Sequence, residues 1–403
     1  MKVAFVHPLR HHAYSSIVGI SECSELTAYL GYFNRGDIID KLMYKLGMGR
    51  FIEGYKFQEI NHVVEVSMII KVFFILWKIK PTWFEKLFFS SFQIWVNRKL
   101  NDFDVIHFVQ DYCNVSIRKA KSLGKQIVYE QIMPFDSLQK SIFETEMKKF
   151  DYIDSFTTSR FSSVKIGLQL ENINMSDYFI ANSVVTANSL KQYVSEDRLY
   201  TIPLGTVIKQ LPEYQLKAKL RKVKHTKTLK FLYIGAHNLI KGTRYIVAAA
   251  ERLKDYDVEF TFVGKPQFDK DNQIIEKINS LKNAKHITSI PHSEIRDIYE
   301  KNNVFIFQGL CEGFGIVTLE AMSCGLPCLV SEGGMGVIRD GIDGYINKNR
   351  DVDALVDKIL YLNDNRAEVI RLAENAVARA SSYTWKEYAD KTKDAYKLMF
   401  QTD

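Results

Sequence analysis

Cysteine is scarce in this sequence, and proline and long hydrophobic runs are nearly as rare. The 403 residues include five cysteines, an odd number, and none of them forms a CxxC pair. Neither a disulfide framework nor a zinc ribbon is therefore indicated. Eight prolines and 21 glycines exclude a collagen-like or low-complexity chain. No apolar run approaches the roughly 20 residues that span a bilayer, so we expect a cytoplasmic protein, with peripheral binding at the inner face of the membrane left open.

The excess of basic residues is small. The chain has 54 Lys and Arg against 47 Asp and Glu, a formal charge of +7. This balance permits an anionic partner, such as a phosphate-bearing ligand or a membrane surface. It predicts no nucleic-acid partner, because the sequence shows no basic recognition motif. The length predicts two domains, each with a sizeable core.

Short runs rich in Val, Ile, Phe and Tyr recur along the chain with helix-like sequence between them. Near-continuous apolar strands separated by helices are typical of parallel sheets buried on both faces. The runs fall into two series, which predicts an α/β protein of two doubly wound, Rossmann-like domains. The first series is Lys2–Val6, Val105–Val109, Gln126–Tyr129, Tyr178–Asn182 and Leu199–Ile202; the second is Leu229–Ile234, Val258–Val263, Val304–Phe307 and Pro327–Ser331.

A lysine-rich stretch separates the two series. Between residues 205 and 227 the only acidic residue is Glu213. We interpret this stretch as a solvated connector; the alternative is an electropositive rim beside a cleft. The predicted domains are residues 1–205 and 206–383, followed by a C-terminal helix within 384–403 that packs back toward the first domain.

A glycine-containing turn after the run Val304–Phe307 gives the strongest functional signal. It reads Glu312-Gly-Phe-Gly-Ile-Val-Thr-Leu-Glu320, and a helix is predicted from about Gly315. The glycines let a ligand approach the backbone closely. The amides of Gly315, Ile316 and Val317, at the positive end of the helix, then form an anion site suited to a diphosphate. The two flanking glutamates can contact opposite ends of one extended ligand, because carboxylates accept strong hydrogen bonds from sugar hydroxyls.

A second strand, turn and helix start appear in the sequence Tyr233-Ile-Gly-Ala-His-Asn-Leu-Ile-Lys-Gly242. Gly235 permits a tight exit from the strand, and Lys241 can hold a phosphate as a point charge. In parallel α/β units such loops meet at the carboxyl edge of the sheet. We therefore expect both loops to close on the same diphosphate.

Residues 228–400 resemble the C-terminal domain of retaining GT-B-fold glycosyltransferases of family 4, also called glycosyltransferase group 1. The resemblance is carried by Lys241-Gly242, the E-x7-E pattern from Glu312 to Glu320, the run Glu320-Ala-Met-Ser-Cys-Gly-Leu-Pro327, Ser331-Glu-Gly-Gly334, Asp340-Gly-Ile-Asp-Gly344 and Trp385. The first half matches more loosely, at Asp104–His107, Ser176–Ser183 and Ile202–Gly205. This resemblance implies a GT-B fold, with two Rossmann-like domains facing across a cleft.

The resemblance also implies an activity: transfer of a sugar, with retention, from a UDP- or GDP-type donor to the hydroxyl of a glycan or lipid-linked acceptor. Such relatives assemble bacterial surface polysaccharides and glycolipids, and neither a cofactor nor a metal is implied. Glu320 would hold the ribose, Lys241 the diphosphate and Glu312 the donor sugar, so Lys241 and Glu312 are the catalytic candidates. The donor-binding candidates are Gly235, Gly313, Phe314, Gly315, Ile316, Val317 and Glu320.

Three positions depart from the family pattern. Ala236 stands where the family has arginine, Gln131 stands where relatives often have histidine, and His7-Pro-Leu-Arg-His-His12 replaces a glycine-rich loop. His11 and His12 follow a predicted strand beside the expected cleft, and with Gln131 they are the acceptor-side candidates. Ala236 and Gln131 also leave open a non-catalytic nucleotide-sugar-binding protein on the same fold. A nicotinamide-dependent dehydrogenase is not favoured, because no G-x-G-x-x-G follows the first strand.

The segment Lys71–Lys99 is unusually rich in aromatic and basic residues. It holds nine Phe and Trp residues and six Lys and Arg residues, opposed by Glu85 alone. An interfacial helix has this composition, with rings at the lipid headgroups and cations against anionic lipid. A pair of core helices whose lysines extend to solvent fits the composition as well. Both interpretations stay open at this point.

Overall fold

The structure is a computed structural model, which describes residues 1–9, 13–32, 38–45, 64–110, 113–151, 161–206, 208, 210–291 and 294–401. Within these residues the strands form two sheets, and every strand pair is parallel. The strands of the first sheet are β1 (Lys2–His7), β2 (Glu25–Leu30), β3 (Val64–Glu65), β4 (Val105–Val109), β5 (Gln126–Gln131), β6 (Tyr178–Ala181) and β7 (Leu199–Thr201). Those of the second are β8 (Leu229–Ile234), β9 (Val258–Val263), β10 (Ala284–Ile287), β11 (Val304–Phe307), β12 (Cys328–Ser331) and β13 (Gly344–Asn347).

Helices alternate with these strands. In the first part of the described chain they are α1 (Ala13–Ser21), α2 (Ile38–Lys45), α3 (Met68–Ile79), α4 (Pro81–Asn97), α5 (Asn114–Ser122), α6 (Asp136–Lys149), α7 (Ser163–Met175) and α8 (Val184–Leu190). The second part has α9 (Glu213–His225), α10 (Thr243–Arg252), α11 (Asn272–Ser280), α12 (Ile295–Glu300), α13 (Ile316–Ser323), α14 (Val352–Asp364), α15 (Arg366–Ala380) and α16 (Trp385–Phe400). No described helix has the length and apolar character needed to cross a membrane.

Both sheets have the strand order of a doubly wound fold. The first runs β3-β2-β1-β4-β5-β6-β7 and the second runs β10-β9-β8-β11-β12-β13. The central strands are buried on both faces, as their unbroken apolar sequences require. The predicted fold of two Rossmann-like domains is therefore confirmed. In each sheet the order reverses between two central strands, β1 and β4 or β8 and β11, and ligands bind at the carboxyl edge of such a switch point.

The lysine-rich stretch is mostly helical. It contains α9, whose Leu220 and Val223 are buried in the second domain. The interpretation of this stretch as a solvated connector is thus wrong for residues 213–225, because two apolar positions three residues apart give the helix an inner face. Lys217, Arg221, Lys222 and Lys224 are exposed on the remaining faces, whereas the Lys219 ammonium is directed into the domain.

The helix α16 follows the second domain in sequence but packs on the first. Its Tyr388 hydroxyl donates to Glu130 Oε1 at 2.8 Å, and its Tyr396 hydroxyl lies 2.8 Å from His107 Nδ1. The other ring nitrogen of His107 is 3.0 Å from Glu130 Oε2. All four side chains are buried. The chain thus crosses between the domains twice, and the two crossings lie side by side where Thr206 pairs with Thr384.

The helices α3 and α4 form an aromatic hairpin on the first sheet. Phe74, Phe88 and Phe92 are fully buried, as the core-helix interpretation of residues 71–99 requires. Lys71 is buried too, with its ammonium 4.8 Å from the ring centroid of Tyr32, so it is not among the cations a membrane could meet. Other apolar residues of the hairpin remain exposed, as described further below.

Candidate active site

The candidate site lies at the switch point of the second sheet. β8 and β11 are neighbours there, and the loops that follow them diverge to opposite sides of the sheet. One loop carries Gly235, Ala236 and Lys241, and the other carries Glu312 to Gly315. The topology therefore brings together the two sequence regions expected to bind a diphosphate, although they are about 70 residues apart.

The loop after β8 is held by its own polar groups. The Tyr233 hydroxyl donates to the carbonyl of Ala236 at 2.9 Å, and the amide of Lys241 donates to Asn238 Oδ1 at 2.8 Å. Gly242 then begins α10 with φ +70°, and a Cβ there would overlap the carbonyl oxygen of Gln308. Only glycine fits this position, because the backbone is left-handed and the neighbouring loop is in contact with it.

The loop after β11 prepares the start of a helix. The Glu312 amide donates to the Gly333 carbonyl at 2.7 Å, and Gly315, with φ +76°, caps α13. Phe314 is buried and fixes the loop from beneath. The first amides of an α-helix have no partner within the helix, so those that follow Gly315 are suited to bind an anion.

Lys241 and Glu312 meet across the switch point. The Lys241 ammonium contacts Glu312 Oε2, with the two side chains 26% and 14% exposed. The structure thus places both catalytic candidates at one point and pairs their charges. An anionic ligand that approached the ammonium would compete with the Glu312 carboxylate for it.

Glu320 lies farther along α13 and has a defined donor. The Tyr299 hydroxyl donates to Glu320 Oε2 at 2.9 Å. Burial and the adjoining carboxylate raise the pKa of Tyr299 well above its ordinary value, so the hydroxyl keeps its proton and fixes the carboxylate. On the far side of Tyr299, its carbonyl and that of Cys324 accept from the Lys219 ammonium, and burial lowers the pKa of Lys219 to about 8.

His237 belongs to the loop after β8 and is fully buried. Its Nδ1 lies 3.4 Å from Thr243 Oγ1, and its Nε2 has no hydrogen-bond partner among the described residues. Burial, with a smaller contribution from His286, lowers the pKa of His237 to about 4. The ring is therefore neutral at pH 7, and it supports the loop after β8 without adding charge to it.

The first domain forms a wall against the loop after β11. A Cβ on Gly313 would overlap the carbonyl oxygen of Ile132 and lie 3.0 Å from Met133 Sδ. Thr186 Oγ1 donates to the Gly313 carbonyl at 3.3 Å, and Asn182 Nδ2 donates to the Ile132 carbonyl at 2.7 Å. The carboxyl edges of the two sheets therefore touch at Gly313, which has no room for a side chain.

The structure does not place the acceptor-side candidates in open space beside the donor side. Gln131 is fully buried, and its Nε2 donates to the Met133 carbonyl at 2.7 Å, so it shapes the wall rather than lining open space. His11 and His12 lie outside the described residues. Sequence reasoning gave no role to the residues that hold the wall: Asn182 was predicted only as the end of a strand within a family match, and no local pattern singles out Thr186.

An ion pair of the buried Glu146 with the partly exposed Arg350, together with an apolar cluster, also joins the domains beside the site. Glu146, on α6, accepts from the Tyr245 hydroxyl at 2.7 Å and from Arg350 Nε at 2.6 Å. Next to it Phe143 packs with Leu239 and Ile240 of the loop after β8. The loop that carries Lys241 is thus fixed from the first domain as well as from its own sheet.

The comparisons with known proteins agree with this geometry. Residues 216–379 match the family model for glycosyl transferases group 1. This range contains Lys241, Glu312 and Glu320, so the resemblance predicted from the sequence is confirmed for the candidate donor side. Retention and membership of family 4 remain predictions.

Two proteins that are similar to part of this chain are glycosyltransferases by name. D-inositol 3-phosphate glycosyltransferase 1 of Catenulispora acidiphila is 25% identical over 243 residues, which are 56% of this chain and 58% of that protein. O-antigen chain mannosyltransferase B of Escherichia coli is 30% identical over 128 residues, 32% of this chain and 33% of that one. The chain therefore spans 58% of the length of the first relative and 33% of the length of the second.

Solved structures show the fold over nearly the whole chain. The structure of Anabaena Alr3699/HepE in complex with UDP superimposes with a TM-score of 0.64 at 15% sequence identity. The match covers 98% of this chain and 100% of the HepE chain. The fold is therefore that of GT-B glycosyltransferases. At this identity the likeness extends to the fold and no further.

Proposed function

We propose that this protein is a glycosyltransferase that moves a sugar from a UDP- or GDP-type donor to an acceptor hydroxyl with retention. The observation that carries the proposal is the meeting of Lys241 and Glu312 at the switch point of the second sheet, beside the glycine-capped start of α13. A cation, a carboxylate and free helix amides at one sheet edge suit a ligand with a diphosphate at its centre and a sugar at one end. The UDP complex of the HepE neighbour is consistent with it.

In this proposal each group answers one chemical need. The bond from sugar to diphosphate breaks as negative charge grows on the leaving group, and the Lys241 ammonium and the α13 amides stabilise that charge. Glu320, held by Tyr299, binds the ribose hydroxyls. Glu312 exchanges its contact with Lys241 for the donor sugar. The acceptor hydroxyl attacks from the side of the leaving group, and a phosphate oxygen takes its proton, as the family resemblance implies.

The acceptor belongs to the first domain in this proposal. The wall at Ile132 and Met133 borders the candidate donor side at Gly313, and His11 and His12 remain predicted acceptor-side residues. We propose a glycan or lipid-linked acceptor from bacterial surface polysaccharide assembly. The similarity to an O-antigen chain mannosyltransferase supports this choice. No cofactor enters the scheme, and we expect transfer to continue in the presence of EDTA.

The proposal can be tested with purified protein and a panel of donors. Calorimetry with UDP, GDP and their sugars identifies the nucleotide, and product formation on a glycan acceptor identifies the reaction. The anomeric configuration of the product, read by NMR, decides between retention and inversion. Donor binding with the anomer inverted would refute retention alone, whereas absence of binding to every nucleotide would refute the proposal.

A second candidate is a protein that binds nucleotide sugars without transferring them. Ala236 removes a cation that the family provides, and Gln131 is turned into the protein by its bond to Met133. Normal donor binding without donor hydrolysis or transfer on any acceptor of the panel would favour this candidate. Ala236→Arg would then be expected to introduce turnover, because it supplies the cation that the family has at this position.

A further inference from the structure

The outer face of α4 is apolar and exposed. Trp83, Leu87 and Ile94 are 78%, 42% and 56% exposed. Their spacings of four and seven residues place them in one stripe along the helix. The opposite face, with Phe88 and Phe92, is fully buried in the core of the first domain. A contiguous exposed apolar row of this kind is a candidate interaction surface.

Basic residues accompany the stripe at the N-terminal end of α4. Lys80, just before the helix, and Lys86 within it are exposed, and neither forms an ion pair with a described residue. The Lys80 ammonium lies 5.6 Å from the ring centroid of Trp83. Cations at a helix N-terminus oppose the helix dipole, so helix stability does not explain them. Glu85 is the one acidic residue between Lys71 and Lys99.

The same end of α4 lies at the carboxyl edge of the first sheet. The Phe88 ring packs against Gly31, directly after β2, where an added Cβ would lie 2.6 Å from it. Tyr32, the next residue, packs on Phe74 with ring centroids 4.8 Å apart. Trp83 precedes Phe88 by five residues, about 7.5 Å along the helix axis. The exposed tryptophan therefore lies beyond the strand ends, on the edge where the two sheets meet.

We propose that the stripe of Trp83, Leu87 and Ile94, with Lys80 and Lys86, docks the protein on an anionic lipid surface. A tryptophan beside lysines suits the headgroup region, where the ring is half in water and the ammonium groups meet lipid phosphates. A neutral apolar partner would leave the two lysines unexplained. Docking through this face would hold the acceptor-side edge next to the membrane. That consequence rests on the proposed function, but the docking itself does not depend on it.

Only one face of the segment of residues 71–99, the exposed face of α4, is available for docking. Phe74, Phe88 and Phe92 belong to the core, and Lys71 is covered, so substitutions there would damage the fold without testing docking. The residues that matter are the exposed ones, which can be changed while the core of the hairpin is left intact.

Sedimentation with vesicles tests the proposal in the absence of any donor. The full-length protein is mixed with vesicles of phosphatidylcholine alone, or with 30 mol% phosphatidylglycerol added, at about 50 and 500 mM salt. We expect binding that requires the anionic lipid and weakens at high salt. Lys80→Glu with Lys86→Glu should lower the partition coefficient by at least about 25-fold, about fivefold for each lysine lost.

A matched control separates this face from general charge. Lys222→Glu with Lys224→Glu on α9 makes the same change in net charge at two exposed lysines, and it should lower binding far less. Trp83→Ser with Leu87→Ser should reduce binding to anionic vesicles even at low salt. Trp83→Phe should keep binding but lose the quenching of tryptophan fluorescence by brominated lipid.

Each result decides the matter. Equal losses in the α9 and α4 charge variants would overturn the proposal in favour of non-specific attraction. Absence of wild-type binding to anionic vesicles at low salt would overturn it outright, and so would a dimer in solution that dissociates on Trp83→Ser, since the stripe would then join two copies. Nucleotide binding, measured by calorimetry in the same variants, should be unchanged, so failure of docking and failure of the proposed transferase function remain distinguishable.

Discussion

Removing the charges of Lys241 and Glu312, singly and together, probes the candidate site most directly. The two side chains contact each other and are mostly buried, so each depends on the other for a partner. A hydrogen bond to a charged group contributes about 1.5–3 kcal/mol. That range corresponds to a factor of about 10 to 150 in a binding constant.

The three variants should differ in the size of their effect on nucleotide affinity and in whether they affect turnover instead. Lys241→Ala should weaken binding of the preferred nucleotide diphosphate by about 10- to 150-fold, because it removes a cation and leaves the Glu312 carboxylate facing the phosphates. Glu312→Gln should leave nucleotide affinity within a few-fold of wild type and lower turnover, because this residue serves the sugar end. The double variant should recover part of the affinity lost in Lys241→Ala, since the repelling carboxylate is gone.

Calorimetry with the free nucleotide measures the first effect, and initial rates with the complete donor measure the second. The exposed pair of Arg252 and Asp353 serves as a control, because replacing it should change neither quantity. A double variant that bound nucleotide no better than Lys241→Ala would refute the competition between carboxylate and phosphate. Wild-type affinity in all three variants would place the diphosphate elsewhere.

Three other measurements test features around the site. Glu320→Ala should weaken nucleotide binding by about 10- to 150-fold and Tyr299→Phe by less, and the reverse order in calorimetry would contradict the ribose role. Gly242→Ala should lower the free energy of unfolding, measured in urea titrations, by about 3 kcal/mol or more. Gly124→Ala, where φ is also positive but the space around the residue is open, should lower it by only about 1–2 kcal/mol. Equal losses would refute the argument from the contact with Gln308. The free energy of unfolding should fall as the pH drops from 6.5 to 4, because the His237 pKa of about 4 in the folded protein is below its value in the unfolded chain. The complete loss, reached below pH 4, is on the order of 3 kcal/mol. If the same pH dependence persisted in His237→Gln, other groups would be responsible for it.

The strands of the sheet centres could be predicted from the sequence, whereas of the strands at or next to an edge only β6, β7, β9 and β12 were predicted. The runs at Val105–Val109, Val258–Val263 and Val304–Phe307 are strands with those bounds, because strands buried on both faces have unbroken apolar sequences. The strands β2, β3, β10 and β13 were missed. Each lies at or next to a sheet edge, and most are short with partly exposed residues, so their sequences lack that signal.

The sequence predicted where the two loops lie and that they meet at one sheet edge, but not which of their side chains would pair. Glycine, lysine and glutamate in strand–turn–helix contexts indicated where an anion would bind. The contact of Lys241 with Glu312 depends on two loops 71 residues apart, and the wall at Gly313 depends on the packing of two domains. Such contacts are set by tertiary structure and leave no local spacing to detect. Asn238 is an exception, because an asparagine side chain that accepts from the amide three residues later, here that of Lys241, is a local pattern that a sequence can suggest.

The return of α16 to the first domain has a consequence for how the protein is made. During synthesis the first sheet leaves the ribosome long before residues 385–400, and domains tend to fold in order of emergence. Until then Glu130 and His107, at the centre of that sheet, lack the hydroxyls of Tyr388 and Tyr396; Tyr388 is 258 residues beyond Glu130. A buried carboxylate without those donors is unfavourable. The first domain therefore remains unfinished until the second has been built, so the domain made first is completed last.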